Sequence, residues 1–167
     1  MPRLVCRLTA FVVVLVSLAS NAWASTPEPL YQLELSKTYY FLTPSPVVAA
    51  KREKAGWHLI SKKLKIDFGQ NTGLPKLTKL YALGDVQTGD SYYTIDPADL
   101  VTYEHKGYTF NGAIGWVSST ATAGYTAFYR AFNPGKGQNA FGTLRQTKAL
   151  DVTWTKYIKS PVWYTHR

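Results

Sequence analysis

Cysteine is nearly absent. The one copy, Cys6, falls in the charged start of the chain, ahead of the apolar run from Leu8 to Ala19. Without a thiol further along, the body of the protein has no disulfide, no thiolate metal site and no cysteine nucleophile, so its stability must come from packing. Acidic residues are also few, 10 Asp and Glu against 19 Lys and Arg, for a formal net charge of +9. A surface with that balance attracts anionic polymers. Long apolar segments are missing as well. The Leu8–Ala19 run is shorter than the roughly 20 residues that a membrane-spanning helix needs.

What that run does resemble is an export signal. Arg3 and Arg7 precede it, and Ala22-Trp23-Ala24 supplies small residues at a cleavage site before Ser25. The expected organisation is a signal peptide at 1–24, a proline-containing linker at 25–29 and one domain at 30–167, periplasmic or extracellular. In that setting the basic clusters Lys51-Arg52-Glu53-Lys54 and Lys62-Lys63-Leu64-Lys65 point to glycans or anionic envelope polymers as partners. Nucleic acid is not expected, nor a membrane span in the mature form; a monomer is.

The domain is rich in strand signals. Tyr39-Tyr40-Phe41-Leu42-Thr43, Tyr92-Tyr93-Thr94-Ile95 and Phe128-Tyr129-Arg130-Ala131-Phe132 carry the aromatic and β-branched side chains that suit a pleated surface. Each is followed by a breaker. Asn111-Gly112 lies between two apolar runs and predicts a hairpin. Val47 to Ala55 is the one convincing helical stretch, ended by Gly56.

The pattern recurs. Aromatic markers Tyr40, Tyr93 and Phe141, and the later markers Trp57, Tyr108 and Trp154, return about every 50 residues, a period that signals an internal repeat. The boundaries read as about 30–76, 77–124 and 125–167. Three copies of a four-strand unit suit an all-β, single-domain β-trefoil, with a closed antiparallel β-barrel as the alternative; closure removes sheet edges.

Catalytic constellations do not assemble. Gly89-Asp90-Ser91 invites comparison with Gly-Asp-Ser-Leu hydrolases, but Tyr92 stands in place of Leu, and Trp163 stands three before His166 where an Asp would orient the base. His58, His105 and His166 have no metal-ligand spacing. Asp85, Asp90, Asp96 and Asp99 lie in turns or at a helix start, where capping accounts for them. No enzyme, cofactor or metal is expected.

Certain residues resemble a secreted bacterial and fungal repeat of unknown function, with the pattern Tyr-Arg-x-aromatic-Asn-Pro-x-Thr-Gly-x-His-Phe-Tyr-Thr and a later Gly-Trp/Tyr-x-x-Glu-Gly. Tyr129-Arg130-Ala131-Phe132-Asn133-Pro134 is similar to its opening, Thr88 to Thr94 to its middle, and Gly107 to Trp116 to its close. The resemblance implies a trefoil-like fold and, from the repeat's frequent attachment to envelope-acting enzymes, glycan binding. Ser91 and Asn139 replace its His, and Asn111 its Glu. The candidate ligand-binding residues are Asp90, Tyr92, Asn111, Tyr125, Tyr129 and Asn133. The competing expectation is a protein-binding or inhibitor function through exposed loops, with a secreted protein as partner.

Overall fold

The computed structural model describes residues 26–36, 39–68, 77–150, 154, 156–157 and 160–166. The expected export signal and the turn-rich connector at 69–75 lie outside these residues. Thirteen elements follow one another in an order that repeats: strand, strand, helix, strand. The first unit comprises β1 (Glu28–Leu35), β2 (Tyr39–Thr43), α1 (Pro46–Lys54) and β3 (His58–Ile66). The second comprises β4 (Leu77–Gly84), β5 (Ser91–Thr94), α2 (Pro97–Glu104) and β6 (Thr109–Ser118). The third comprises β7 (Tyr125–Asn133), β8 (Gln138–Gly142), α3 (Leu144–Lys148), β9 (Lys156–Tyr157) and β10 (Trp163–His166). Two helices thus join the one that the sequence makes plain.

Local chemistry sets the helices. Ser45 caps α1 by accepting from the Val48 N–H, and Asp96 caps α2 by accepting from the Ala98 N–H, each with proline in the first turn. Proline fits there because its missing N–H has no helical partner to lose. At α3 Thr143 and Gln146 form a reciprocal capping box. These caps explain why five- to nine-residue helices hold at all, since isolated segments of that length are unstable in water.

In every unit the first strand is central, paired antiparallel to the second and third: β1 to β2 and β3, β4 to β5 and β6, β7 to β8 and β9. β10 joins the units by pairing with β3, β6 and β7. The pairing path runs β2-β1-β3-β10-β6-β4-β5 and stays open, so the closed barrel is corrected. The first two units also hold three strands and a helix, not four strands; the third adds β10.

Register aligns the copies. Tyr31-Gln32-Leu33, Tyr81-Ala82-Leu83 and Tyr129-Arg130-Ala131 hold the same place on the first strands, and Leu42, Tyr93 and Phe141 lie opposite Gln32, Ala82 and Arg130. Leu42, not Tyr40, is therefore the counterpart of Tyr93 and Phe141. All three are buried in one apolar cluster with Leu30, Leu83 and Trp163, where β2, β5 and β8 touch one another pairwise.

Side chains from neighbouring units plug the strand edges that meet at this centre. The Tyr93 hydroxyl accepts from the Leu42 N–H (2.8 Å) and donates to the Leu42 carbonyl (3.2 Å). Gln32 Nε2 donates to the Phe141 carbonyl (2.9 Å), and Asp90 Oδ1 accepts from the Asn139 N–H (3.0 Å). Buried backbone groups must find partners, and here side chains provide them where barrel closure otherwise would.

The aromatics after each helix are core. Trp57, Tyr108 and Trp154 are 8, 8 and 7% exposed. Trp57 packs edge-on against Phe41, and Tyr108 against Tyr92, which is the equivalent pair. In the third unit Ala140 takes that place, and Trp154 packs instead on Tyr40 of the first unit (6.0 Å, 82°).

Two expectations fail locally. Asn111-Gly112 makes no hairpin; β6 runs through it. The β4–β6 register slips between Ala82 and Leu83, leaving Asn111 as the extra residue, and Gly112 has φ 99°. The left-handed glycine thus serves a β-bulge. The linker is also shorter than expected, since β1 begins at Glu28 and Pro29 pairs with Lys65. Proline is tolerated there because β2 pairs only from Tyr31 onward, so no second neighbour needs its N–H.

Candidate functional site

Polar side chains bond to one another across the seams between units. At the seam of the second and third units, Asp90 is 2% exposed and fully engaged. Its Oδ2 accepts from the Tyr108 hydroxyl (2.6 Å) and from Asn139 Nδ2 (2.7 Å). Burial pushes the Asp90 carboxyl above the usual range, and these donors, with the backbone N–H groups of Asn139 and Ser91, pull it partly back. Asn139 Oδ1 in turn accepts from Arg130 Nε (2.9 Å), and Arg130 Nη1 donates to the Tyr92 hydroxyl (3.3 Å). Tyr92 donates to Asp99 Oδ2 (2.9 Å), which also accepts from the Thr94 hydroxyl (2.7 Å). One continuous network therefore runs from Asp99 in the first turn of α2, through Tyr92, Arg130 in the middle of β7 and Asn139, to Asp90 and Tyr108.

Aromatic faces hold this network in place. Tyr92 stacks on Tyr103 at 3.5 Å, and the Arg130 guanidinium lies 4.8 Å from the Tyr92 ring centre, an attractive cation–π geometry. Burial raises the Tyr92 phenol well above its ordinary value, against the pull of Arg130, so it stays a neutral donor. Beside it lies a pocket of about 340 Å³, lined by Tyr92, Thr94, Asp96, Asp99, Arg130 and Trp163 among others.

The seam of the third and first units carries the equivalent positions with other chemistry. Gln32 stands in the place of Arg130, and Gln146, third in its helix, in the place of Asp99; the two amides bond at 2.9 Å. A pocket of about 560 Å³ opens there between Gln32, Tyr40, Ile60, Phe141, Gln146 and Leu150. It shares Ile60, Gln146 and Ala149 with a wider groove of about 1140 Å³ that is lined by Lys62, Lys63 and Arg145 and, among the described residues, by no acidic one. Lys62 and Lys63 are exposed on β3.

A third cluster sits where β3 ends. Asp67 is 2% exposed, with His166 Nε2 3.8 Å from its Oδ2. The Tyr125 ring lies 4.1 Å from the His166 ring. Burial raises the Asp67 carboxyl, while His166 and Tyr125 draw it down. The Tyr125 phenol is pushed up to about 12 by burial first and Asp67 next.

Of the residues singled out from sequence, Asp90 and Tyr92 are brought together, both buried in the second seam. Asn133 is buried, its Oδ1 accepting from the Gly135 and Lys136 N–H groups to hold the β7–β8 turn. Tyr125 is half-buried in the Asp67 cluster, Tyr129 is half-buried on β7, and Asn111 is exposed at the bulge. These four do not converge. Ser91 opens β5 at a buried position. Sequence reasoning missed Asp99 and Gln146, whose signal was their shared position in the first turn of a capped helix. It also did not place Arg130, although the Tyr-Arg pair was visible. Among the described residues no His, Cys, Asp or Glu group is arranged to hold a metal ion, and no helix is long and apolar enough to cross a membrane.

The chain belongs to the family described as a domain of unknown function, DUF5648, whose model matches residues 30–159. No curated protein and no solved structure matches it.

Proposed function

We propose that this protein is an exported, non-catalytic binding module for an anionic cell-envelope polysaccharide, held at the seam of the third and first units. The observation that carries the reading is the groove lined by Lys62, Lys63 and Arg145, with no acidic residue among the described lining, on a chain of net charge +9. Lysines on a strand and an arginine on a short capped helix face one channel, so successive carboxylates or sulfates of a polymer meet several cations at once. Leu59, Ile60 and Ala149 supply an apolar floor for the C–H faces of the sugar rings. Such contacts are individually weak in water and gain strength by number along one chain.

The three units also support a trefoil-like reading, in the limited sense that equivalent strands converge on a shared centre while ligands meet the seams around it. A rigid frame of that kind presents shallow sites and needs no catalytic cleft.

The test is affinity electrophoresis of the exported chain through gels containing polygalacturonate, at low and raised salt. Retardation that weakens with salt, and that falls at least tenfold in affinity for the triple variant Lys62→Glu, Lys63→Glu, Arg145→Glu, supports the reading. No retardation, or equal retardation of the triple variant with an unchanged circular dichroism spectrum, overturns it.

A further inference from the structure

The seam of the second and third units is a different kind of place. Its pocket of about 340 Å³ is at the small end of ligand sites, and its charges are mixed. Arg130 faces it from β7, and Asp96 and Asp99 from the start of α2. The hydrogen-bond inventory shows what remains on offer. Asp99 Oδ2 is taken by Tyr92 and Thr94, while Oδ1 has no donor among the described residues. Arg130 uses Nε for Asn139 and Nη1 for Tyr92, while Nη2 has no acceptor among them. Trp163 is 0% exposed and forms part of the pocket wall, and its indole N–H has no acceptor among the described residues, which makes it a sensitive reporter beside the pocket.

We propose that this pocket is a separate site for a neutral vicinal diol, such as two adjacent hydroxyls of a single hexose residue. A free carboxylate oxygen accepts from one hydroxyl, and a free guanidinium edge donates to its neighbour. The two carboxylates disfavour an anion, and Arg130 disfavours a cation, which leaves a neutral ligand with both donors and acceptors. Tyr92 and Arg130 are already held by stacking and hydrogen bonds, so binding orders little that is mobile. The equivalent place at the third–first seam has lost this character, because Gln32 and Gln146 satisfy one another. The site therefore differs in chemistry from the basic groove and does not depend on it.

The experiment is a titration of the exported chain with methyl hexopyranosides and their deoxy analogues, followed by nuclear magnetic resonance at the Trp163 indole N–H. Expected is a saturable shift of that resonance by a hexoside, at least tenfold weaker for Asp99→Asn and for Arg130→Lys, and weaker for the analogue lacking one of the paired hydroxyls. Val162→Trp, which fills the pocket from its rim and leaves every network residue in place, abolishes the shift. The Lys62→Glu, Lys63→Glu, Arg145→Glu variant keeps it, which separates this site from the polysaccharide groove. No saturable shift with any hexoside, or a shift that survives Val162→Trp, overturns the proposal.

Discussion

The Tyr108 hydroxyl donates to Asp90 across 2.6 Å, joining the residue that precedes β6 to the residue that precedes β5. Because Asp90 also accepts from both nitrogens of Asn139, this single carboxylate links the second unit to the third. Tyr108→Phe removes one donor and leaves the buried carboxylate short of a partner. We expect a loss of about 1–3 kcal/mol, measured as a lower urea midpoint with an unchanged slope.

The carboxyls of Asp67 and Asp90 are both raised by burial. Between the ordinary aspartate value near about 4 and these raised values, the folded protein binds more protons than the unfolded chain. Their contribution to stability is therefore greatest below that window and declines as pH rises through it. Asp67→Asn removes one share of that dependence. The variant's melting temperature should change less than that of the parent between weakly acidic and neutral pH; an identical profile would contradict the assignment.

Gly115 leaves no room for a side chain. Its φ is 150°, and a Cβ placed there meets Ile66 Cγ1 at 2.5 Å and the Asp67 carbonyl at 3.0 Å. Gly115→Ala should destabilise the protein by about 1–3 kcal/mol through overpacking. Gly112→Ala also has an unfavourable φ, but no atom within 4 Å of the new Cβ. Thermal unfolding of the pair tells crowding from backbone strain, with Gly115→Ala expected to be the more damaging.

Trp57 and Trp154 follow their helices alike but pack differently. Trp57 meets Phe41 inside its own unit, whereas Trp154 meets Tyr40 across a seam. Each truncation to alanine should cost about 3–5 kcal/mol. In a double-mutant cycle, Trp154→Ala should couple with Tyr40→Ala and not with Phe41→Ala; no coupling with Tyr40→Ala would contradict packing across the seam.

Much of this architecture can be read from residue patterns, and the exceptions have physical causes. The aromatic positions after each helix were visible as a recurring mark, and burial unites them. Tyr40 misled because aromatic character alone does not fix register: Leu42 takes the inward place in the first unit, and only the strand pairing shows it. Asn111-Gly112 has hairpin chemistry, yet a left-handed glycine serves a bulge equally well when the partner strand continues. Asp90 and Tyr92 share one locality because the turn before β5 places them there. Asn139 and Arg130, which complete that network, lie dozens of residues away, and no local spacing reveals such a meeting. The basic run Lys62-Lys63 was plain, but Arg145 joins it only because α3, packed on β7 and β8, borders the same groove.

The side-chain plugs at the centre also constrain how such a chain can evolve. Since Tyr93 serves Leu42, Gln32 serves Phe141 and Asp90 serves Asn139, each copy has become a specialist for the neighbour it meets. A second first unit set in the third place would bring Tyr40 where Asn139 stands and leave Asp90 without its carboxamide. The copies have ceased to be interchangeable, and their order along the chain is now part of what the protein encodes.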